Sequence, residues 1–218
     1  MSLDALYPFM RQEAGADDEL DAVLAEVTRS TREKIAEIGR LRAAVAQAEA
    51  QRLAACATAM AERFARGGRL VTFGNGGSST DADALAELFV QPGPGWRRLP
   101  ATALTADVAT LTALANDVGF EVVFARPIAA SGREEDIAIG LSTSGGSQNV
   151  LRGFAAAHER GMLTVGFAGY SGGAMAEAAS RGEIDYLFVM PSSSVHRIQE
   201  AQTTTYHVLW ELVQHALR

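Results

Sequence analysis

From Arg69 onward, five short apolar runs recur with helix-forming stretches between them, and this alternation narrows the possible folds more than any other feature of the chain. The runs are RLVTF (69–73), PATAL (100–104), DIAIGL (136–141), LTVGF (163–167) and DYLFVM (185–190). Helix-compatible stretches lie between them: Thr80 to Val90, Asp107 to Asn116 extending toward Ala130, Ser147 to Arg160, and Ala174 to Ser180. A longer helix, His196 to Leu217, closes the chain. Strands joined by helical crossovers make a parallel sheet with right-handed connections and helices on both faces. The expected class is therefore α/β, with a doubly wound parallel sheet whose ligands sit at the carboxyl ends of the strands, near the switch in strand order.

Upstream the pattern differs. Between Asp18 and Arg66 there is no proline and a single glycine, Gly39, in a background of Ala, Glu, Leu and Arg. Leu20, Val23, Leu24, Val27, Ile35, Ile38 and Leu41 recur at helical spacing, and Leu53, Cys56, Met60 and Phe64 continue the series until the Gly67–Gly68 pair stops it. The pattern predicts two long helices divided near residues 44–50. The chain then reads as a helical segment, 1–66, serving packing or oligomerisation, followed by the main domain, 67–218.

A net charge of −7 argues against nucleic acid as a direct partner, since phosphate backbones call for a basic surface. No apolar run approaches the roughly 18 residues of a membrane span. The acidic start, MSLDALYPFMRQEAGADDELD, lacks a basic-then-apolar signal pattern, so a cytoplasmic protein is expected. The one cysteine, Cys56, rules out an internal disulfide and reads as an inert buried thiol within LAACATAM.

Two strand ends carry unusual loops. The first strand runs into Gly74-Asn75-Gly76-Gly77-Ser78, and the third into STSGGSQN, Ser142 to Asn149. In the second loop Ser142, Thr143, Ser144 and Ser147 place four hydroxyls in six positions, while Gly145 and Gly146 let the backbone approach a ligand. Hydroxyls and N–H groups at a helix start solvate a phosphate without a lysine. Neither loop ends in the Gly-Lys-Ser/Thr of a P-loop, and the first lacks dinucleotide-binding spacing. Each alone also suits a plain turn and helix cap; two such loops on one sheet point to a phosphorylated ligand.

Taken in order, GNGGS with Asp81 beyond it, ADVATLTALANDVGFEVVFARPI, STSGGSQNVL, AGYSGGAMAEAAS and HRIQEAQTTTYHVLWELV make the chain resemble the SIS (sugar isomerase) phosphosugar-binding family, particularly its phosphoheptose isomerase branch. The resemblance covers roughly residues 69–217. It implies a five-stranded flavodoxin-like sheet, a homotetramer, and a sugar phosphate in a cleft partly made by neighbouring subunits. By position, Ser78, Ser142, Thr143, Ser144 and Ser147 would hold phosphate, with Gly76 and Gly77 in the same loop, and Asn75 and Asp107 would touch the sugar.

The chain also departs from that family. There, the helix after GNGGS carries a histidine and, four residues on, a glutamate that bind zinc together with a glutamine and a histidine of the last helix. Here the first two positions are Ala84 and Leu88, whereas the last-helix pair is present as Gln199 and His207. An aspartate of the family before RIQE is His196 here. Zinc in the usual arrangement is therefore not expected. Asp83 and Glu87 keep the spacing of the lost pair, but each lies one residue early and is rotated by about 100°; His196 is the other candidate replacement.

Ketose–aldose interconversion needs a base at carbon, a proton shuttle between oxygens and a group that polarises the carbonyl. His207 and Gln199 are the candidate catalytic residues. Eight residues separate them, about 12 Å along one helix and about 80° around it, so a neighbouring subunit is expected to complete the site. Ile198, Ala201, Val208, Leu209, Leu212 and Ala216 are the expected core stripe of that helix. His158 and His215 read as helix-end residues. Arg197 is matched to a family arginine suited to carboxylate or phosphate, and Trp96 with Arg97 and Arg98 form a loop suited to closing over a ligand, contacting a subunit or simply connecting elements. Trp210 reads as packing in the tetramer core. Two functions stay open: an aldose–ketose isomerase acting on sedoheptulose 7-phosphate or a related sugar phosphate, and a non-catalytic sugar-phosphate-binding or regulatory protein, such as a replication-initiator-binding type.

Overall fold

A computed structural model describes residues 16–218. The first fifteen positions of the expected 1–66 segment, with the part of the acidic opening stretch that falls in them, lie outside the described residues. By compactness the chain divides into two units, Met1–Arg40 and Leu41–Arg218.

In chain order, helix α1 spans Ala16–Ala65, strand β1 Leu70–Gly74, α2 Gly77–Val90, β2 Ala101–Ala103, α3 Val108–Asp117, α4 Ala125–Ser131, β3 Ile137–Ser142, α5 Gln148–Glu159, β4 Leu163–Gly169, α6 Gly173–Ser180, β5 Tyr186–Met190 and α7 Val195–Ala216. Short 3-10 turns at Leu104–Ala106 and Phe120–Val122 flank α3. The division of α1 expected near 44–50 is absent. That stretch, AVAQAEA, has no glycine or proline, so nothing in it supplies a stop.

The sheet is parallel throughout, in the order β2-β1-β3-β4-β5. All five expected strands are present, each within a residue or two of its predicted ends. β1, β3 and β4 are buried along their whole lengths, as strands covered on both faces must be. One side of the core clusters Phe73, Phe124 and Phe154, with Phe73–Phe154 edge to face at 5.3 Å.

Within Leu41–Arg218, α1 contributes Leu53, Cys56, Met60 and Phe64 to the core, and Phe64 stacks on Phe89 of α2 at 5.5 Å. Burial pushes the Cys56 thiol well above its ordinary range, in keeping with an inert role. The Met1–Arg40 unit presents Leu20, Val23, Leu24, Val27 and Ile35 to solvent.

The amino end of the sheet is closed by Asp136, which is fully buried. Its carboxylate accepts from the Arg69 backbone N–H at 3.0 Å, from Arg69 Nε at 3.3 Å, and from Arg133 N and Nη2 at 3.2 and 3.3 Å. The carboxyl end is where the two unusual loops emerge, from adjacent strands. β1 is joined onward to β2 on one side, while β3 lies on its other side, so the loops after β1 and β3 flank the topological switch.

Candidate functional site

The loop after β1 turns straight into α2. Gly76 takes φ 55° before the first helical residue, Gly77, and Ser78 N donates to Asn75 O at 3.0 Å. Ser78 is buried beneath the turn, whereas Gly76 and Gly77 are exposed. The last helix reaches this point: a β-carbon added at Gly77 would lie 2.2 Å from Gln199 Nε2. Glycine here therefore lets the Gln199 amide lie against the loop.

The loop after β3 is a hydroxyl cluster. The Ser142 hydroxyl is buried and lies 3.1 Å from Ser147 Oγ and 3.5 Å from Ser144 Oγ, which accepts from Gly146 N at 3.2 Å. Ser147 is the N-cap residue of α5, yet its hydroxyl makes no cap hydrogen bond and faces Ser142 instead. Gly145 takes φ 65°, and a β-carbon there would lie 2.0 Å from Gly172 O, so no larger residue fits without moving backbone. Thr143 is half-buried and its carbonyl accepts from Gly169 N at 3.0 Å, tying the loop to the end of β4.

A residue not singled out from sequence joins the two loops. Asn149, buried in the first turn of α5, exchanges reciprocal amide hydrogen bonds with Asn75, each 2.8 Å. Asn75, expected at the sugar, thus also links the loops. A polar residue in the first helical turn was the available signal, but its partner is 74 positions away.

Asp107 is exposed and caps α3, accepting from Thr110 N at 3.0 Å and from the Thr110 hydroxyl at 2.6 Å. Those two bonds hold its carboxyl below the usual range. It borders a cleft of about 540 Å³ with Thr102, Leu104, Thr110 and Pro127.

On α7, His207 is half-buried, and its Nδ1 lies 2.8 Å from the Thr203 carbonyl oxygen. A carbonyl only accepts, so Nδ1 carries the proton and Nε2 of the neutral ring holds a lone pair, ready to act as a base. The ring stacks on Tyr206 at 5.0 Å. The Tyr206 hydroxyl in turn reaches Asp81 Oδ1 at 3.4 Å, and the Thr203 hydroxyl lies 3.2 Å from the same oxygen. Burial raises the Asp81 carboxyl above its ordinary range, and the bonds from Thr203 and Tyr206 oppose that rise. Burial likewise raises the Tyr206 phenol. The Thr203–Tyr206–Asp81 group was not foreseen, because adjacency across two helices leaves no mark in either helix's own pattern.

The buried stripe of α7 runs through Ile198, Ala201, Gln202, Thr205, Tyr206, Leu209, Trp210, Val213 and Gln214. Val208, Leu212 and Ala216 fall outside it, with Val208 exposed. A stripe chosen by apolarity missed the glutamines, threonine and tyrosine that pack inward here.

The candidate replacements for the family's two zinc ligands stand at the surface. Asp83 is exposed and accepts from the Thr105 hydroxyl at 2.9 Å; Glu87 and His196 are also exposed. The cap at the start of α7 is Ser194, whose side chain accepts from Arg197 N, and the Arg197 guanidinium pairs with Glu200. Ala84 and Leu88 offer no donor atoms to a metal, and among the described residues no three His, Cys, Asp or Glu side chains converge on one point. The residues present do not fit zinc in the family arrangement.

The loop with Trp96 is tied to α7. Trp96 packs on Trp210 at 5.2 Å, and Gln214 clamps Arg97 through both backbone groups, accepting from its N–H at 3.0 Å and donating to its carbonyl at 2.8 Å. Trp210 is therefore buried by its own chain.

Comparison with known proteins bears on the whole arrangement. The family model described as SIS domain matches residues 34–169. The phosphoheptose isomerase of Roseiflexus sp. (strain RS-1) is 44% identical over 172 residues, which cover 78% of this chain and 85% of the relative. That of Aquifex aeolicus (strain VF5) is 42% identical over 179 residues, covering 82% and 91%. Among solved structures, phosphoheptose isomerase GmhA from Neisseria gonorrhoeae superposes with a TM-score of 0.79 at 31% identity, covering 87% of this chain and 99% of that one.

Proposed function

The chain belongs to the SIS-domain family, within its phosphoheptose isomerase branch, and from that premise we propose that it isomerises a phosphorylated ketose to the corresponding aldose, with sedoheptulose 7-phosphate or a related sugar phosphate as substrate. The observation that carries this reading is the pairing of two hydroxyl- and glycine-rich loops on adjacent strands at the topological switch, with Gln199 lying over one of them.

In this reading the phosphate dianion sits between the starts of α2 and α5. Helix-start N–H groups, Ser78, Thr143 and the Ser142–Ser144–Ser147 hydroxyls solvate it there. Asn75 and Asp107 face the sugar. The reacting carbons extend toward α7. His207 Nε2, supplied by a neighbouring subunit because it stands about 12 Å from Gln199 along one helix, takes the proton from C1 of the ketose, a C1–C2 double bond forms, and the C2 oxygen gains a proton to give the enediol. Return of a proton to C2, with loss of the O1 proton, leaves the aldose carbonyl at C1. The Gln199 amide donates to the oxygen on which charge develops. No step passes through zinc, because the donor set on α2 does not fit it.

A homotetramer in the cytoplasm completes the proposal. The exposed Leu20, Val23, Leu24, Val27 and Ile35 of α1 support self-association, being apolar side chains that water disfavours. Among the described residues no helix is long and apolar enough to cross a membrane. A second reading, sugar-phosphate binding without turnover, is favoured by one observation: Ala84 and Leu88 put neither acid nor imidazole on α2.

Incubation of the purified protein with sedoheptulose 7-phosphate in deuterated water, with and without added zinc, tests both. Deuterium at C2 of the product supports isomerisation. Thermal stabilisation by the sugar phosphate without exchange overturns it in favour of binding alone.

A further inference from the structure

We propose that Asp81 is a positioning residue, holding the His207 imidazole in its reactive orientation through Tyr206 and Thr203. The inference rests on the isomerase reading above, because it concerns the same imidazole.

Helices α2 and α7 meet turn by turn. Gly77 lies against Gln199, and four residues further along each helix Asp81 meets Thr203. Asp81 shares a face of α2 with Ala84 and Leu88, which follow it by three and seven residues and so lie about 60° and about 20° away around the axis. It is the carboxyl that this face carries.

Tyr206 is only 1% exposed, and a buried phenol needs a hydrogen-bond partner. Asp81 Oδ1 supplies the acceptor at 3.4 Å. The Thr203 hydroxyl has one proton to direct, either to Asp81 Oδ1 at 3.2 Å or to the Gln199 carbonyl at 2.9 Å. The imidazole of His207 is held in turn by two contacts, its face on the Tyr206 ring and its Nδ1–H on the Thr203 carbonyl. Both come from residues that Asp81 touches. Without the carboxyl, the Tyr206 hydroxyl must find another acceptor, and the platform beneath His207 moves with it.

The test uses nitrogen-15-labelled protein and long-range proton–nitrogen spectra of the histidine rings, with His207→Ala assigning the signal. The wild type is expected to show neutral His207 protonated at Nδ1 alone. Asp81→Ala and Tyr206→Phe should each shift the signal toward mixed tautomers and lower kcat roughly tenfold with KM within about twofold, and the double variant should be no worse than either. Asp81→Asn, which keeps an acceptor oxygen, should preserve the wild-type spectrum and most of kcat; it also serves if Asp81→Ala fails to fold. A His207 signal unchanged in Asp81→Ala and Tyr206→Phe overturns the proposal, as does an additive double variant. Wild-type protein without isomerase activity defeats the functional reading, while the spectra still decide the role of Asp81.

Discussion

The two ends of the sheet use polar groups in opposite ways. At the amino end, the buried Asp136 carboxylate has its acceptor sites filled by Arg69 and Arg133 and closes the fold. At the carboxyl end, the Ser142, Ser144 and Ser147 hydroxyls turn toward one another at 3.1 to 3.5 Å, and Ser147 leaves its helix uncapped. A fully satisfied polar cluster stabilises a fold; one whose members share weak mutual bonds keeps donors to offer a ligand. Beyond the carboxyl end lies the α2–α7 seam, where the imidazole stands among aromatic and hydroxyl groups.

Substitutions at these places should separate grip, chemistry and stability. The largest effect is expected from His207→Ala, which should lower kcat by about 10³ with little change in affinity for the sugar phosphate, since general acid–base groups contribute on that scale. Steady-state rates and calorimetric titration measure the two separately, and a parallel loss of affinity would erase the division between grip and chemistry. Asp136→Ala should next remove about 3 kcal/mol of stability, because several charge-assisted bonds go at once. Denaturant unfolding reads this, and KM of the folded fraction should stay near wild type.

Ser147→Ala should do the reverse. It should weaken sugar phosphate binding about tenfold, the worth of one hydrogen bond to a charged group, yet leave the melting temperature in place because the hydroxyl caps nothing. A lowered melting temperature with intact binding would make Ser147 structural. The smallest effect concerns Asp107. Thr110 holds its carboxyl below the ordinary range, so its contribution to stability is in place above the unfolded value of about 3.9 and is lost as pH falls through the lower folded value. Asp107→Ala should therefore melt slightly below wild type at pH 7 and level with it near pH 2, as thermal scans across that range would record.

Much of this was legible in the residues. The strands announced themselves because buried parallel strands are short, continuous and apolar, and both candidate ligand loops stood out because glycine and hydroxyl residues crowd together after two of them. The sequence predicts a division of α1 because the alanine-rich residues between 44 and 50 dim the apolar stripe, but nothing in them breaks the helix. On α7 an apolar count chose Val208 and Leu212, whereas Gln214 packs inward because Arg97 needs its amide, and Tyr206 because Asp81 meets its hydroxyl. The Trp96 loop suits closure over a ligand, a subunit contact or plain connection in the sequence, and its packing on Trp210 and Gln214 leaves no mark there.

By itself the chain of residues determined the class of fold, the order of its strands and helices along the chain, and the two glycine- and hydroxyl-rich loops proposed to receive a phosphate, because those depend on local periodicity and on residue types adjacent along the backbone. Tertiary structure alone decided that Asn149 clasps Asn75, that Gln199 lies on Gly77, and that Asp81 reaches the residues holding His207. Such contacts join positions 74 to 125 residues apart. Only the packing of helices against a common sheet sets those distances.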